Sequence, residues 1–130
     1  IAARFPEAKL LGWADPATVR ARMRDARALV FPSLWFEGQP LTVMEAKAMG
    51  TPVIVSDACA GREEIVDGES GLWFSRGDVD DLARALKAVT DDDLVRRLAL
   101  GAYESFWREP RDLARHVAGL EAIYREMLAR

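Results

Sequence analysis

Cysteine is almost absent from this sequence. Cys59 stands alone, so no internal disulfide can form, which fits a reducing compartment. Histidine is as scarce: His116 is the only one, and beside Val117 it reads as a surface or boundary residue. An excess of positive charge is lacking too. The formal net charge is −3 and the sequence pI is about 5.2. That argues against a surface for nucleic acid or anionic membrane, and leaves open a small anionic ligand held at one local site. No apolar run approaches the length of a membrane span, and no signal-peptide pattern opens the sequence. No internal repeat, low-complexity tract or flexible linker is visible.

What is present suits a packed core. Half of the 130 residues are hydrophobic and 30% are charged, which fits one soluble globular domain. The chain starts at Ile1, and "IAARFPEAKLLGW" reads like the middle of a domain, so an excised piece of a longer protein is expected.

The run "AKLLGW", closed by Gly12, reads as a short strand. Asp15-Pro16 opens a helix over about residues 16–25, with Asp15 as N-cap and Pro16 at the first helical position. "ALVFP" at 28–32 reads as a buried strand and 33–39 as a loop. A helix from about Pro40 to Met49 follows, stopped by Gly50 and Pro52. "PVIVS" is the next buried strand, "DACAGR" a loop of small residues, "REEIV" one helical turn and "GLWF" a fourth strand. Gly77-Asp78 opens a helix striped by Leu82, Ala85, Leu86 and Val89; Thr90-Asp91 opens another carrying Leu94, Leu98 and Ala102. After Pro110 the last helix spaces Leu113, Val117, Leu120, Tyr124 and Met127 by threes and fours. Apolar strands alternating with helices predict an α/β fold with a parallel sheet.

The segment "EGQPLTVME", Glu37 to Glu45, lies between a strand end and a helix start. In open α/β sheets ligands bind there, beyond the carboxyl ends of the strands. The first amides of the helix, at Leu41, Thr42 and Val43, would suit a phosphate, and Gly38 lets a ligand come close. Glu45 would sit one turn in, on the side of Leu41, in a helix apolar nearly all round. A carboxylate in such a place needs donors, and sugar hydroxyls are good ones. Two acids flanking a phosphate site would suit a nucleotide-sugar. The plainer alternative is a solvated Glu37, with Glu45 capping backbone or pairing with a basic residue.

The stretch "FPSLWFEGQPLTVMEAKAMGTPVIVSD", followed by "GREEIVDGESGLWFSRGDVDDLARAL", resembles the donor-binding domain of retaining glycosyltransferases of the GT-B fold, the glycosyltransferase 4 group. The resemblance rests on a proline-serine strand end, two glutamates with seven residues between them, an alanine-rich helix, then glycine, proline and a strand. It runs in order over residues 10–90; residues 91–130 match only as helices. It implies a partial Rossmann-like parallel sheet with flanking helices. Residues 1–130 would be a single incomplete donor-binding, C-terminal GT-B domain with a mostly helical tail at about 91–130. It implies that Glu37 is catalytic, touching hydroxyls of the transferred sugar, and that Glu45 binds the ribose. The backbone of Gly38, Gln39, Pro40, Leu41 and Thr42 would hold the diphosphate. Gly61 maps to a close backbone approach in the next loop and Glu64 to its usual acid. The donor would be a nucleotide-diphosphate sugar, with no metal or other cofactor required.

Two departures stand out. Gln39 and Pro40 occupy positions where the family often has an aromatic residue and a glycine, and Pro40 brings no N–H. The family's two further strands, with an arginine and a lysine for the diphosphate, lie upstream of "AKLLGW" and outside this chain, as does the acceptor domain. The chain alone is therefore expected to be inactive and to bind nucleotide weakly. The strand at 28–32 is expected to have its exposed edge covered, by the strand near residue 10 or by a second chain in a homo-oligomer. Nucleotide-sugars are cytoplasmic, so that location is expected.

Other features read as structural. "DDD" at 91–93 complements a helix N-terminus rather than a metal. Cys59 and Trp73 read as packing residues, and "RARMRDAR" as a solvated helix face. Trp35 is kept as a candidate for sugar stacking and Arg62 as a candidate phosphate partner. A sugar-nucleotide epimerase of the same fold and a non-catalytic α/β binding module are the alternatives to a transferase.

Overall fold

Asp15 starts the first helix as its side chain predicts. In the computed structural model, which describes residues 4–36, 38–110 and 112–129, its carboxylate accepts from the amides of Ala17 and Thr18 at 2.9 and 3.0 Å. Helix α1 spans Pro16–Asp25, with Pro16 in the first turn and Met23 as its buried residue. Strand β1 (Leu29–Phe31), helix α2 (Leu41–Ala48) and strand β2 (Val53–Ser56) follow. A 3₁₀ turn at Ala60–Glu64 leads to strand β3 (Gly71–Phe74), then helices α3 (Val79–Ala88), α4 (Asp92–Arg108) and α5 (Leu113–Leu128).

The three strands form one parallel sheet in the order β1-β2-β3. Leu29 stands opposite Val53, and Val53 opposite Gly71. Every residue of β2 is buried, because the sheet is covered on both sides. On one face Val43 and Ala46 of α2 pack with Val53, Val55, Cys59 and Ile65. On the other, Ala85, Val89 and Leu98 of α3 and its neighbours pack with Ile54, Leu72 and Phe74. The α/β fold with a parallel sheet and flanking helices is thus the one expected.

One expected strand does not form. Residues 8–13 have no strand assignment, and Leu10, Leu11 and Trp13 are exposed. A strand needs a ladder partner for its amides and carbonyls. Among the described residues none lies beyond β1, so "GLWF" is the third strand rather than the fourth. The segment near residue 10 therefore does not move in to pair with β1. Instead Leu11 and Trp13 join Val19, Met23, Ala26 and Leu29 around an open hollow of about 690 Å³ beside that edge.

Helix α2 begins one residue later than expected. Pro40 is its N-cap, with extended backbone, and its carbonyl accepts from the amides of Val43 and Met44. Its other end closes as a Schellman motif: Gly50 sits at φ 73°, and the amides of Thr51 and Gly50 reach the carbonyls of Ala46 and Lys47, both at 2.9 Å.

The basic stretch is not all solvated face. Arg27 donates to the carbonyls of Val89 and Thr90 and pairs with Asp92 at 2.6 Å. It ties the entry of β1 to the junction of α3 and α4. The acids at 91–93 divide their work: Asp91 caps α4, Asp92 meets Arg27 and Asp93 meets Arg96. Hydrogen bonding to Arg27 holds the Asp92 carboxyl below the ordinary aspartate value. A carboxyl whose pKa is depressed by folding adds stability above the unfolded value of about 3.9, lost as pH falls through the folded value. Asp92→Asn is therefore expected to lower unfolding free energy at pH ~7 and to matter less as pH falls through the folded value; urea melts at neutral and at acid pH check this.

Candidate functional site

The loop after β1 and the loop after β2 come together at the carboxyl ends of the parallel strands. The first runs into α2; the second contains the 3₁₀ turn. Pro40 is buried between them. A β-carbon built on Gly61 would lie 3.2 Å from the Pro40 ring and 3.1 Å from Val55, so a larger residue here would crowd the packing under the α2 N-cap. The mapped close approach at Gly61 is thus a contact between two loops.

The N-terminus of α2 opens outward. No side chain among the described residues caps it. The amides of Val43 and Met44 turn back to Pro40, which leaves those of Leu41 and Thr42 as the helix's leading donors. Gly38 has open space around it and is exposed, as are Gln39 and Leu41. Glu45 is exposed one turn in, on the side of Leu41. Glu37 lies outside the described residues.

Glu45 is therefore not the buried charge of α2. The buried members are Val43, Ala46 and Lys47, at spacings of three and four. Lys47 was missed from the sequence although it stands four residues after Val43. Its ammonium donates to the Glu64 carbonyl and lies 3.9 Å from the Glu64 carboxylate. The outer oxygen of that carboxylate accepts from the Gln39 amide at 3.3 Å. Glu64, mapped only as the loop's usual acid, thus links the 3₁₀ turn to both α2 and the loop before it.

Beside this junction lies an open hollow of about 510 Å³, with Phe36, Asp57, Cys59, Arg62, Ile65 and Trp73 among its walls. Arg62 is exposed and lays its guanidinium 4.5 Å over the Trp73 ring. The Trp73 indole N–H donates to the Ile65 carbonyl at 3.1 Å, which fixes the ring as a half-buried wall. Trp35 is exposed and does not line the hollow; its neighbour Phe36 does. Cys59 is buried, as its packing role predicts. His116 is exposed on α5. Among the described residues no group of three His, Cys, Asp or Glu is placed to hold a metal ion.

Comparison with known proteins bears on the family and the fold. The family model described as "Glycosyl transferases group 1" matches residues 6–105. A phosphatidyl-myo-inositol mannosyltransferase of Mycolicibacterium smegmatis is 36% identical over 88 residues, covering 68% of this chain and 23% of that protein. Among solved structures, sucrose-phosphate synthase from Thermosynechococcus elongatus superposes with TM-score 0.81 at 25% identity, over 96% of this chain and 31% of its own. Anabaena Alr3699/HepE, solved in complex with UDP and glucose, superposes with TM-score 0.76 at 20% identity, over 98% of this chain and 34% of its own. The second likeness is one of fold alone. The chain thus spans between about a quarter and a third of the length of these proteins.

Proposed function

The chain belongs to the glycosyl transferases group 1 family, and from that membership we propose that it is the donor-binding part of a retaining glycosyltransferase. The parent enzyme transfers a sugar from a nucleotide-diphosphate sugar to an acceptor. The bond from the anomeric carbon to the diphosphate breaks, and the acceptor oxygen bonds on the same face as it loses its proton. One observation carries the reading. The α2 N-terminus is uncapped by any described side chain at the carboxyl end of a parallel sheet, with Glu45 exposed one turn in on the same side. The free amides of Leu41 and Thr42, with the positive end of the helix dipole, suit the diphosphate. Glu45 is in reach of a ribose attached to it, and Glu37 takes the hydroxyls of the transferred sugar. Pro40 contributes no amide, but it sets the angle at which the helix meets the ligand.

Acceptor recognition belongs to another domain of the parent protein; of the two covers expected for the edge of β1, a second copy of this chain remains, since residues 8–13 form no strand beside it. No helix among the described residues is long and apolar enough to cross a membrane. Since nucleotide-sugars are cytoplasmic, the enzyme works there.

Titration of the isotope-labelled chain with UDP, UDP-glucose, GDP and GDP-mannose tests the reading. Amide shifts confined to residues 38–45 and 57–64 are expected, with one base preferred. Shifts elsewhere only, or none at millimolar ligand, would overturn it.

A further inference from the structure

Three contacts converge on the 3₁₀ turn from α2 and the loop before it. Lys47 rises from the buried side of α2 and is only 6% exposed in its side chain; the Glu64 carboxylate it faces is 9% exposed. The same ammonium holds the Glu64 main-chain carbonyl. Glu64 then reaches outward to the Gln39 amide. At the other end of the turn, Gly61 is pressed beneath Pro40. The 3₁₀ turn is thus fastened from below by a buried cation, and it touches two successive residues of the loop that enters α2.

A lysine buried between α2 and α4, beside Met44, Ser105 and Phe106, is costly unless its charge is matched. A methionine or leucine would fill the same volume without that cost. Among the described residues no buried side-chain nitrogen or oxygen lacks a hydrogen-bond partner, and the Lys47 ammonium has both a hydrogen bond and a facing carboxylate to offset that cost. Packing alone does not call for a charge at this position. A charge does what a hydrophobe would not: it selects one position of the 3₁₀ turn, the one that places both Glu64 acceptors at the ammonium.

We propose that Lys47 is a positioning residue for the donor site. Through Glu64 it fixes Gln39, and through the 3₁₀ turn it holds Gly61 under Pro40, and so sets where the Gly38 backbone and the first α2 amides stand before any ligand arrives. Preorganised donors cost no ordering when the ligand binds, so the effect falls on nucleotide affinity. The inference rests on the donor reading for the identity of its ligand, but not for the geometry of the loop.

The test compares the wild-type chain with Lys47→Met, Lys47→Arg and Gln39→Leu by amide NMR, first without ligand and then with UDP and GDP. In Lys47→Met the ligand-free signals of the Gly38 amide and the Gln39 side-chain amide are expected to move or broaden. Binding of the preferred nucleotide is expected to weaken about tenfold, as for the loss of one hydrogen bond to a charged group. Lys47→Arg, which keeps the cation, is expected to restore both in part. A folded Lys47→Met with those loop signals unmoved overturns the proposal. If Lys47→Met does not fold, Gln39→Leu decides, because it cuts only the outer link: unmoved Gly38 and Leu41 amides overturn the proposal. If the wild type binds neither nucleotide, the donor reading falls, while the ligand-free loop signals still decide the role of Lys47.

Discussion

Replacing Gly101 by alanine is expected to destabilise the chain by about 2–3 kcal/mol, as for an overpacked core site. In the middle of an ordinary helix the same change would stabilise by up to about 1 kcal/mol, because alanine is the better helix former. Here the sign reverses. Gly101 lies in α4 where the helix rests on the segment leading into β3. A β-carbon there would come within 2.1 Å of the Glu69 carbonyl oxygen and 3.0 Å of its carbon. Those are main-chain atoms, so no rotamer change relieves the clash. Either α4 lifts, drawing Leu98 and Ala102 out of the core they fill, or the 66–70 turn is displaced and β3 with it. Gly119→Ala is the control: on α5 its β-carbon would meet nothing within 4 Å. Urea unfolding of the two variants is expected to show a fall in midpoint for the first and none for the second. Equal midpoints would mean that α4 does not rest on Glu69 in solution.

Glu45→Ala is expected to do the reverse: leave stability unchanged within about 0.5 kcal/mol, as for an ordinary surface substitution, and lower nucleotide affinity by about tenfold or more. Glu45 is exposed and belongs to neither core cluster, so its removal opens no cavity. A hydrogen bond to a charged group is worth about 1.5–3 kcal/mol, which converts to roughly ten- to hundredfold in affinity. The measurement is a titration with UDP and GDP alongside a thermal melt. Lower affinity at constant melting temperature supports a ligand-facing carboxylate. A lower melting temperature with unchanged affinity would assign Glu45 to the fold, and the donor reading would lose its second acid.

Much of the fold could be read from local chemistry. Asp15-Pro16, Gly50, Asp78 and Asp91 each carry a cap signal, and each marks the end it predicts because capping depends on residues only a few positions apart. The strands at 29–31, 53–56 and 71–74 were legible as apolar runs. "AKLLGW" looked the same and formed no strand, since a strand also needs a neighbour and composition does not say whether one exists. The site divides in the same way. Spacing singled out Glu45 and the α2 N-terminus, which lie within one helix. It placed Glu45 in a buried setting, when the buried charge is Lys47. The error came from reading α2 as apolar all round: Val43 and Lys47, four residues apart, are both buried, and only tertiary packing identifies that. Arg27 was equally hidden, because its partners Val89, Thr90 and Asp92 are 62 to 65 residues away.

Cys59 gives the chain a clock. It is the only thiol in the sequence, it is 4% exposed, and its thiol donates to the Ser56 carbonyl at 3.6 Å. It lines the wall of the open hollow but is too buried for ready attack, so a modifying reagent reacts with it mainly when the loop around it opens. Its labelling rate therefore counts local openings of that loop, and at fast reclosing it reports their free energy. Nothing need be engineered in for the readout, and a ligand that spans the two loops would slow the count without touching the sulfur.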